Sequence, residues 1–136
     1  MSKNLSKLLE IGFEPVGYFS TNDGKLNFYL SNHKNQTGCY SFVIDKKACY
    51  VGVTKNTLYA RMNGYKNPGP SQQTNKRINP QIKEASQVEI YFLPESEITR
   101  FEITIERNDF KKEMLMDMTI FERFLISLFR PDWNRE

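Results

Sequence analysis

The stretch Gly38-Cys39-Tyr40-Ser41-Phe42-Val43-Ile44-Asp45-Lys46-Lys47-Ala48-Cys49-Tyr50-Val51-Gly52-Val53 decides how this chain is read. Two β-rich runs, Gly38 to Ile44 and Ala48 to Val53, flank a charged pair and predict a hairpin. Side chains alternate faces along a strand, so Tyr40, Phe42 and Ile44 share one side and Cys39, Ser41 and Val43 the other. A plain two-residue Lys46-Lys47 turn sets Tyr50 opposite Val43 and sends Tyr40 and Tyr50 to opposite faces. An odd-length loop or a bulge reverses that parity and brings both to one face. On composition alone, the two tyrosines read first as amphipathic strand residues with wet hydroxyls.

Downstream, Thr57 to Tyr65 carries Leu58, Met62 and Tyr65 on one helical stripe, with Arg61 beside it. Arg61 is either an ion-pairing surface arginine or a phosphate fork, for which a planar guanidinium is suited. Lys66 to Asn75, with Pro68-Gly69-Pro70, predicts a polar loop. Asn79-Pro80 predicts the cap and first turn of a helix running to about Ser86. Lys55, Lys66, Lys76 and Arg77 form a basic, amide-rich surface suited to a nucleic-acid backbone, although such charges also serve as solvated decoration.

Val88 to Leu93 reads as a third strand stopped by Pro94. Ile98 to Glu106 alternates as an edge strand. A last helix is expected from about Asp109 to Phe129, its second half apolar almost all round and therefore buried. Within it, Glu122 is costly to bury ionised unless a cation, a partner or a metal satisfies it, or unless it escapes to an exposed edge; Arg61 and Arg123 are candidate partners. Pro131 stops the helix, and Trp133 is expected to dock on the core and hold Asn134 in place.

Upstream, Leu5, Leu8, Leu9 and Ile11 predict a short helix ended by Gly12. Pro15 to Ser20 and Leu26 to Leu30 flank Thr21-Asn22-Asp23-Gly24, whose Asp-Gly pair favours a hairpin turn. Residues 1–36 are thus expected as a helix/hairpin extension packed on a core domain of residues 37–136. The single histidine, His33, falls in the extension's polar tail, where a solvated role is the ordinary one.

The 136 residues suit one core, and a domain of this size buries roughly 68% of its unfolded surface. Hydrophobic, aromatic and charged fractions of 39%, 13% and 26% exclude a disordered chain. No apolar run approaches the roughly 20 residues of a membrane span, and the opening residues lack a signal peptide's apolar core, so a cytoplasmic protein without membrane partners is expected. Two cysteines and one histidine exclude a disulfide scaffold and a structural zinc site. A net charge of +3 is compatible with nucleic-acid binding.

In order, Gly38-Cys39-Tyr40, Tyr50-Val51-Gly52, Arg61 with Tyr65 four residues later, Glu122 and Asn134 resemble the GIY-YIG nuclease family. The closing Glu122, Leu125, Ile126, Pro131, Trp133 and Asn134 are similar in spacing to its excision-repair members. Tyr50 to Asn56 and Arg61 to Tyr65 are similar to its small phage and restriction-type members. The likeness runs from Gly38 to Asn134. Cys39 replaces the isoleucine of the first motif, one extra residue separates Tyr50 from Arg61, and Val53 stands where many members carry a lysine that Lys55 or Lys76 would have to replace.

The resemblance implies an α+β domain with a small, mainly antiparallel sheet of at least three strands flanked by helices. It further implies a metal-dependent DNA endonuclease. Glu122 would be the sole protein carboxylate on a magnesium ion, with manganese as substitute. Arg61 would hold the phosphate, and Tyr40 would orient or deprotonate the attacking water. Tyr50 and Tyr65 would complete the hydrogen-bond shell while Asn134 braces the site. A tyrosine of pKa about 10 is a poor base unless cations lower it, which the basic surroundings are expected to do. The alternative is an inactive scaffold of the same type kept for nucleic-acid or protein binding. An Asp-x-Lys site at Asp45 and Lys47 lacks an upstream acidic partner, and one histidine cannot serve a histidine-metal nuclease. Cutting both strands of DNA would favour a homodimer or higher homo-oligomer.

Overall fold

A computed structural model describes residues 4–85 and 87–134. Helix α1 (Leu5–Ile11) ends at Gly12, whose φ of 121° suits a residue without a Cβ. Strands β1 (Glu14–Asn22) and β2 (Lys25–Leu30) meet at Asp23-Gly24, both at positive φ, as the Asp-Gly signal predicts. Strands β3 (Gly38–Ile44) and β4 (Lys47–Thr54), helices α2 (Leu58–Lys66) and α3 (Gln73–Glu84), and strand β5 (Val88–Pro94) follow. A short helix α4 (Glu95–Ile98), strands β6 (Glu102–Arg107) and β7 (Phe110–Leu115) and helix α5 (Met118–Phe129) complete the order.

Five strands form one antiparallel sheet in the order β2-β1-β5-β3-β4. The β1–β2 hairpin of the first 36 residues is joined to the rest through β5. Alternation sorts the side chains into two cores. Phe19, Tyr40, Phe42, Tyr50, Ile90 and Phe92 meet α2 and α3 on one face. Leu8, Cys39, Val43, Val51, Leu93, Phe121 and Leu125 pack with α1, α4 and α5 on the other. Because β3 is covered on both sides, every residue from Gly38 to Val43 is buried, Ser41 included. Among the described residues no helix is long and apolar enough to cross a membrane.

Five expectations are corrected. The β3–β4 turn is Asp45-Lys46, both at positive φ, not Lys46-Lys47, and the ladder shifts register between Phe42 and Val43. Asn79-Pro80 lies inside α3 rather than at its start, and the loop before α3 is correspondingly short. A proline in a helix interior costs about 3 kcal/mol. Burial of Asn75, Ile78, Asn79 and Ile82 on one face offsets that cost, while Pro80 points outward. The expected end of that helix at Ser86 lies outside the described residues.

The alternating segment Ile98 to Glu106 is no edge of the main sheet. Ile98 is buried in α4, and β6 pairs with β7 in a separate ribbon. The last helix begins at Met118, because Asp117 caps it by accepting from Ile120 N, while Met114 and Leu115 belong to β7. Its outer face is open as well, with Phe124 and Leu128 exposed, so its apolar girth does not mean burial all round.

Candidate active site

The site grows from the free edge of β4. A two-residue turn alone would place Tyr50 across from Ser41, on the face away from Tyr40. Instead Val43 pairs with Ala48 and Phe42 with Tyr50, so Cys49 is a bulge that reverses the parity. Tyr40 and Tyr50 consequently share a face, ring centroids 6.2 Å apart. Gly52 lies across from Tyr40 and makes room for it: a Cβ there would come within 2.6 Å of the Tyr40 hydroxyl.

α2 brings the arginine. Thr57 caps this helix by accepting from Ala60 N, and Leu58 N and Tyr59 N donate to the carbonyls of Gln36 and Lys34. Leu58, Met62 and Tyr65 face the core as the stripe predicts, which leaves Arg61 at the rim. Arg61 Nε donates to the Tyr40 hydroxyl at 2.9 Å and Nη2 to that of Tyr65 at 2.9 Å. The two hydroxyls lie 2.7 Å apart, and the guanidinium carbon is 4.5 Å from the Tyr65 ring centroid.

Tyr40 and Tyr65 are 1% and 0% exposed. Burial pushes both phenols well above their ordinary pKa, and the Arg61 charge offsets only part of it. The expectation that cationic surroundings lower the Tyr40 pKa is therefore reversed by desolvation. Tyr50, 7% exposed, is the tyrosine that lines the cleft.

The unpaired edge of β4 holds the C-terminal half of the site. Trp133 N donates to the Cys49 carbonyl at 2.8 Å. Asn134 pairs with Val51 through both amide atoms: Oδ1 accepts from Val51 N and Nδ2 donates to Val51 O, each at 2.9 Å. The Val53 backbone N–H donates to Glu122. Four edge groups on alternate residues are thus satisfied by the tail and α5, as an exposed strand edge requires. Lys47 Nζ reaches Asp132 at 2.7 Å and fastens the tail to the hairpin.

Glu122 is half-buried, with its neighbours Phe121 and Leu125 in the core. Burial pushes its carboxyl above the ordinary range, against the opposing pull of the Val53 N–H and the Arg61 charge. Among the described residues it forms no ion pair, so neither Arg123 nor Arg61 neutralises it directly. It lines an open cleft of about 560 Å³ with Tyr50, Gln73, Thr74, Lys76, Arg77 and Asn134.

Of the basic residues singled out in the sequence, Lys76 and Arg77 reach this cleft; Lys55 and Lys66 are not among its lining residues. Lys76 Nζ donates to the Pro70 carbonyl and Arg77 Nη1 to that of Trp133, at 3.1 and 2.6 Å. Arg77 therefore also secures the tail. Sequence reasoning missed Asn75, which accepts from Arg61 Nη1 at 2.7 Å, and Asn79, whose Nδ2 donates to the Tyr65 carbonyl at 2.7 Å. Their spacing of four, in step with Ile78 and Ile82, is a helical signal that the proline obscured.

The donor set bears on the metal that the family resemblance implies. Among the described residues no three His, Cys, Asp or Glu side chains gather to enclose an ion. One cleft-facing carboxylate without an ion-pair partner instead fits a hard, largely hydrated cation such as magnesium, which takes one or two carboxylates and fills its shell with water and phosphate oxygens.

No protein-family profile and no curated protein matches this chain. Solved structures do. A mutant of bacteriophage T4 EndoII superposes with a TM-score of 0.66 at 20% identity, over 98% of this chain and 100% of that one. The restriction endonuclease HPY188I, in complex with product DNA, gives a TM-score of 0.54 at 16% identity, over 96% of this chain and 81% of that one. At such identities the likeness is one of fold, and the fold of this chain is one used by nucleases.

Proposed function

We propose that this chain is a metal-dependent DNA endonuclease of the GIY-YIG type. The observation that carries the reading is the convergence of Tyr40, Tyr50, Tyr65, Arg61, Glu122 and Asn134, drawn from five separate elements, around one edge of the β3–β4 hairpin. The nuclease fold supports it, and a neighbour of that fold solved with product DNA supports DNA as the substrate. A binding module has less use for a half-buried, unpaired carboxylate within electrostatic reach of a fixed arginine.

Each side chain has a task in this reading. Arg61 uses three of its five N–H groups internally, which locks the guanidinium plane and leaves two for the scissile phosphate. The Tyr40 hydroxyl is set by Arg61 Nε and Tyr65, and burial keeps it protonated near neutral pH. Its role is accordingly to orient the attacking water through Oη rather than to deprotonate it. Tyr50 walls the cleft beside the phosphate, and Asn134 braces the edge of β4 at Val51. Lys76 and Arg77 contact the flanking backbone.

Glu122 would hold the divalent cation, magnesium or manganese, which when bound supplies positive charge to the phosphate oxygens and lowers the pKa of adjacent water. This reading places one site on each chain, so a cut through both strands takes two chains or two visits.

The test is incubation with supercoiled and linear duplex DNA in magnesium or chelator, with sequencing of the ends. Cleavage is expected in magnesium only, and Glu122→Ala should abolish it while the fold and DNA affinity persist. Cleavage retained by Glu122→Ala would overturn the assignment. Binding without cleavage by the wild type would make the chain a binding module.

A further inference from the structure

Arg61 is aimed by more than the tyrosines. We propose that Asn75 is a positioning residue for Arg61, held in register by Gln72; this rests on the reading of Arg61 as the phosphate-binding group.

Asn75 is 2% exposed, on the first turn of α3. A guanidinium offers only donors, so the amide oxygen must face Arg61, and Oδ1 accepts from Nη1 at 2.7 Å. That choice directs Nδ2 the other way, where it donates to Gln72 Oε1 at 2.9 Å. The same Gln72 oxygen accepts from Gly69 N at 2.8 Å and so clamps the loop between α2 and α3. The amide can approach α2 because the facing residue is Gly64, where a Cβ would come within 2.9 Å of Asn75 Nδ2.

Three anchors on different elements fix the guanidinium: Tyr40 on β3, Tyr65 on α2 and Asn75 on α3. Two of them lie at the Nε–Nη2 side, and among the described residues only Asn75 holds Nη1. Without it the head group tilts about the Nε–Nη2 edge and misdirects the donors left for the phosphate. Gln73 and Thr74, which follow Gln72, line the cleft.

Two measurements test this. The first is steady-state cleavage of a duplex oligonucleotide by Asn75→Ala, Asn75→Asp, Arg61→Lys and the Asn75→Ala/Arg61→Lys double variant. Loss of a buried hydrogen bond to a charged group should lower kcat by about 10–100-fold with KM nearly unchanged. Asn75→Asp keeps the acceptor for Nη1 but loses the bond to Gln72 and sets two oxygens against each other there, so it should recover only part of that loss. Lysine has no Nη1, so adding Asn75→Ala to Arg61→Lys should cost less than about 2-fold more. Equal losses in both backgrounds, or a loss carried in KM, would overturn the proposal.

The second measurement needs no activity and separates this inference from the nuclease reading. In side-chain nitrogen NMR of the free protein, Arg61 should show resolved, slowly rotating Nη groups that average together in Asn75→Ala but not in Asn75→Asp. Resolved signals persisting in Asn75→Ala would overturn the positioning role even if DNA is cleaved. Averaging in that variant would sustain it even if the wild type cleaves nothing.

Discussion

The molecule contains two hairpins of similar sequence grammar and opposite fate. β3–β4 and β6–β7 both turn at a residue pair containing a left-handed backbone, Asp45-Lys46 in one and Asn108-Asp109 in the other. β3–β4 is buried on both faces, carries a bulge, and supplies Tyr40, Tyr50 and the edge groups of the site. In β6–β7 only Ile103 is half-buried, and Phe110 is 61% exposed. The difference teaches that apolar alternation makes a strand, while a site needs neighbours on both faces to lock its rotamers. A ribbon of two strands has no such neighbours and draws little stability from its own ladder.

That contrast can be broken by substitution. Met62→Ala, beneath the site in α2, should cost about 2–5 kcal/mol in urea unfolding, since a fully buried side chain leaves a cavity against Tyr40 and Tyr65. Gly52→Ala should cost about 1–3 kcal/mol and most of the cleavage activity, because its Cβ displaces the Tyr40 hydroxyl. An unchanged melting temperature would mean that Tyr40 has slack the structure does not show. Tyr65→Phe should cost about 1–3 kcal/mol by leaving Arg61 Nη2 and the Tyr40 hydroxyl each a partner short.

Glu122→Gln should act in the opposite direction on stability. The Glu122 pKa is raised on folding, so the native state holds its proton more tightly than the unfolded chain. Stability should fall as pH rises from the ordinary carboxylate range through the folded pKa, then level off. Removing the charge should therefore raise the melting temperature at neutral pH while ending cleavage, and should flatten that part of the stability–pH curve. A melting temperature lowered at neutral pH would show that another group already neutralises Glu122.

The smallest effect belongs to the ribbon. Ile105→Thr should change stability by no more than about 0.5 kcal/mol, and ribbon amides should exchange hydrogen far faster than those of β3 and β5. Strong protection of the ribbon would erase the contrast.

Much of this was legible along the chain. Leu58, Met62 and Tyr65 announced α2, Gly12 ended α1, and Asp23-Gly24 turned the first hairpin as their backbone preferences require. Tyr40, Arg61, Tyr65 and Glu122 could be named before their positions were known. The errors fell where local and tertiary preferences part. Met114 and Leu115 fit a helical stripe with Met118 and Phe121, yet Asp117 caps α5 behind them and Met116 N is held by the Phe101 carbonyl at 2.9 Å. Pro80 read as a helix start because the burial of its flanking residues is invisible in the sequence.

What the sequence alone determined was an inventory: most of the runs that become strands or helices, with β7 and the start of α3 as exceptions, and the side chains whose types suit phosphate and cation chemistry. Those follow from backbone preference and side-chain type, which are local. Tertiary structure alone decided that Cys49 bulges so that both tyrosines face α2, and that the free edge of β4 is met by Trp133, Asn134 and Glu122. It also decided that Asn75 closes on Arg61. Strand parity, edge satisfaction and desolvation depend on which elements meet across the sheet, and residues more than eighty positions apart carry no local sign of that meeting.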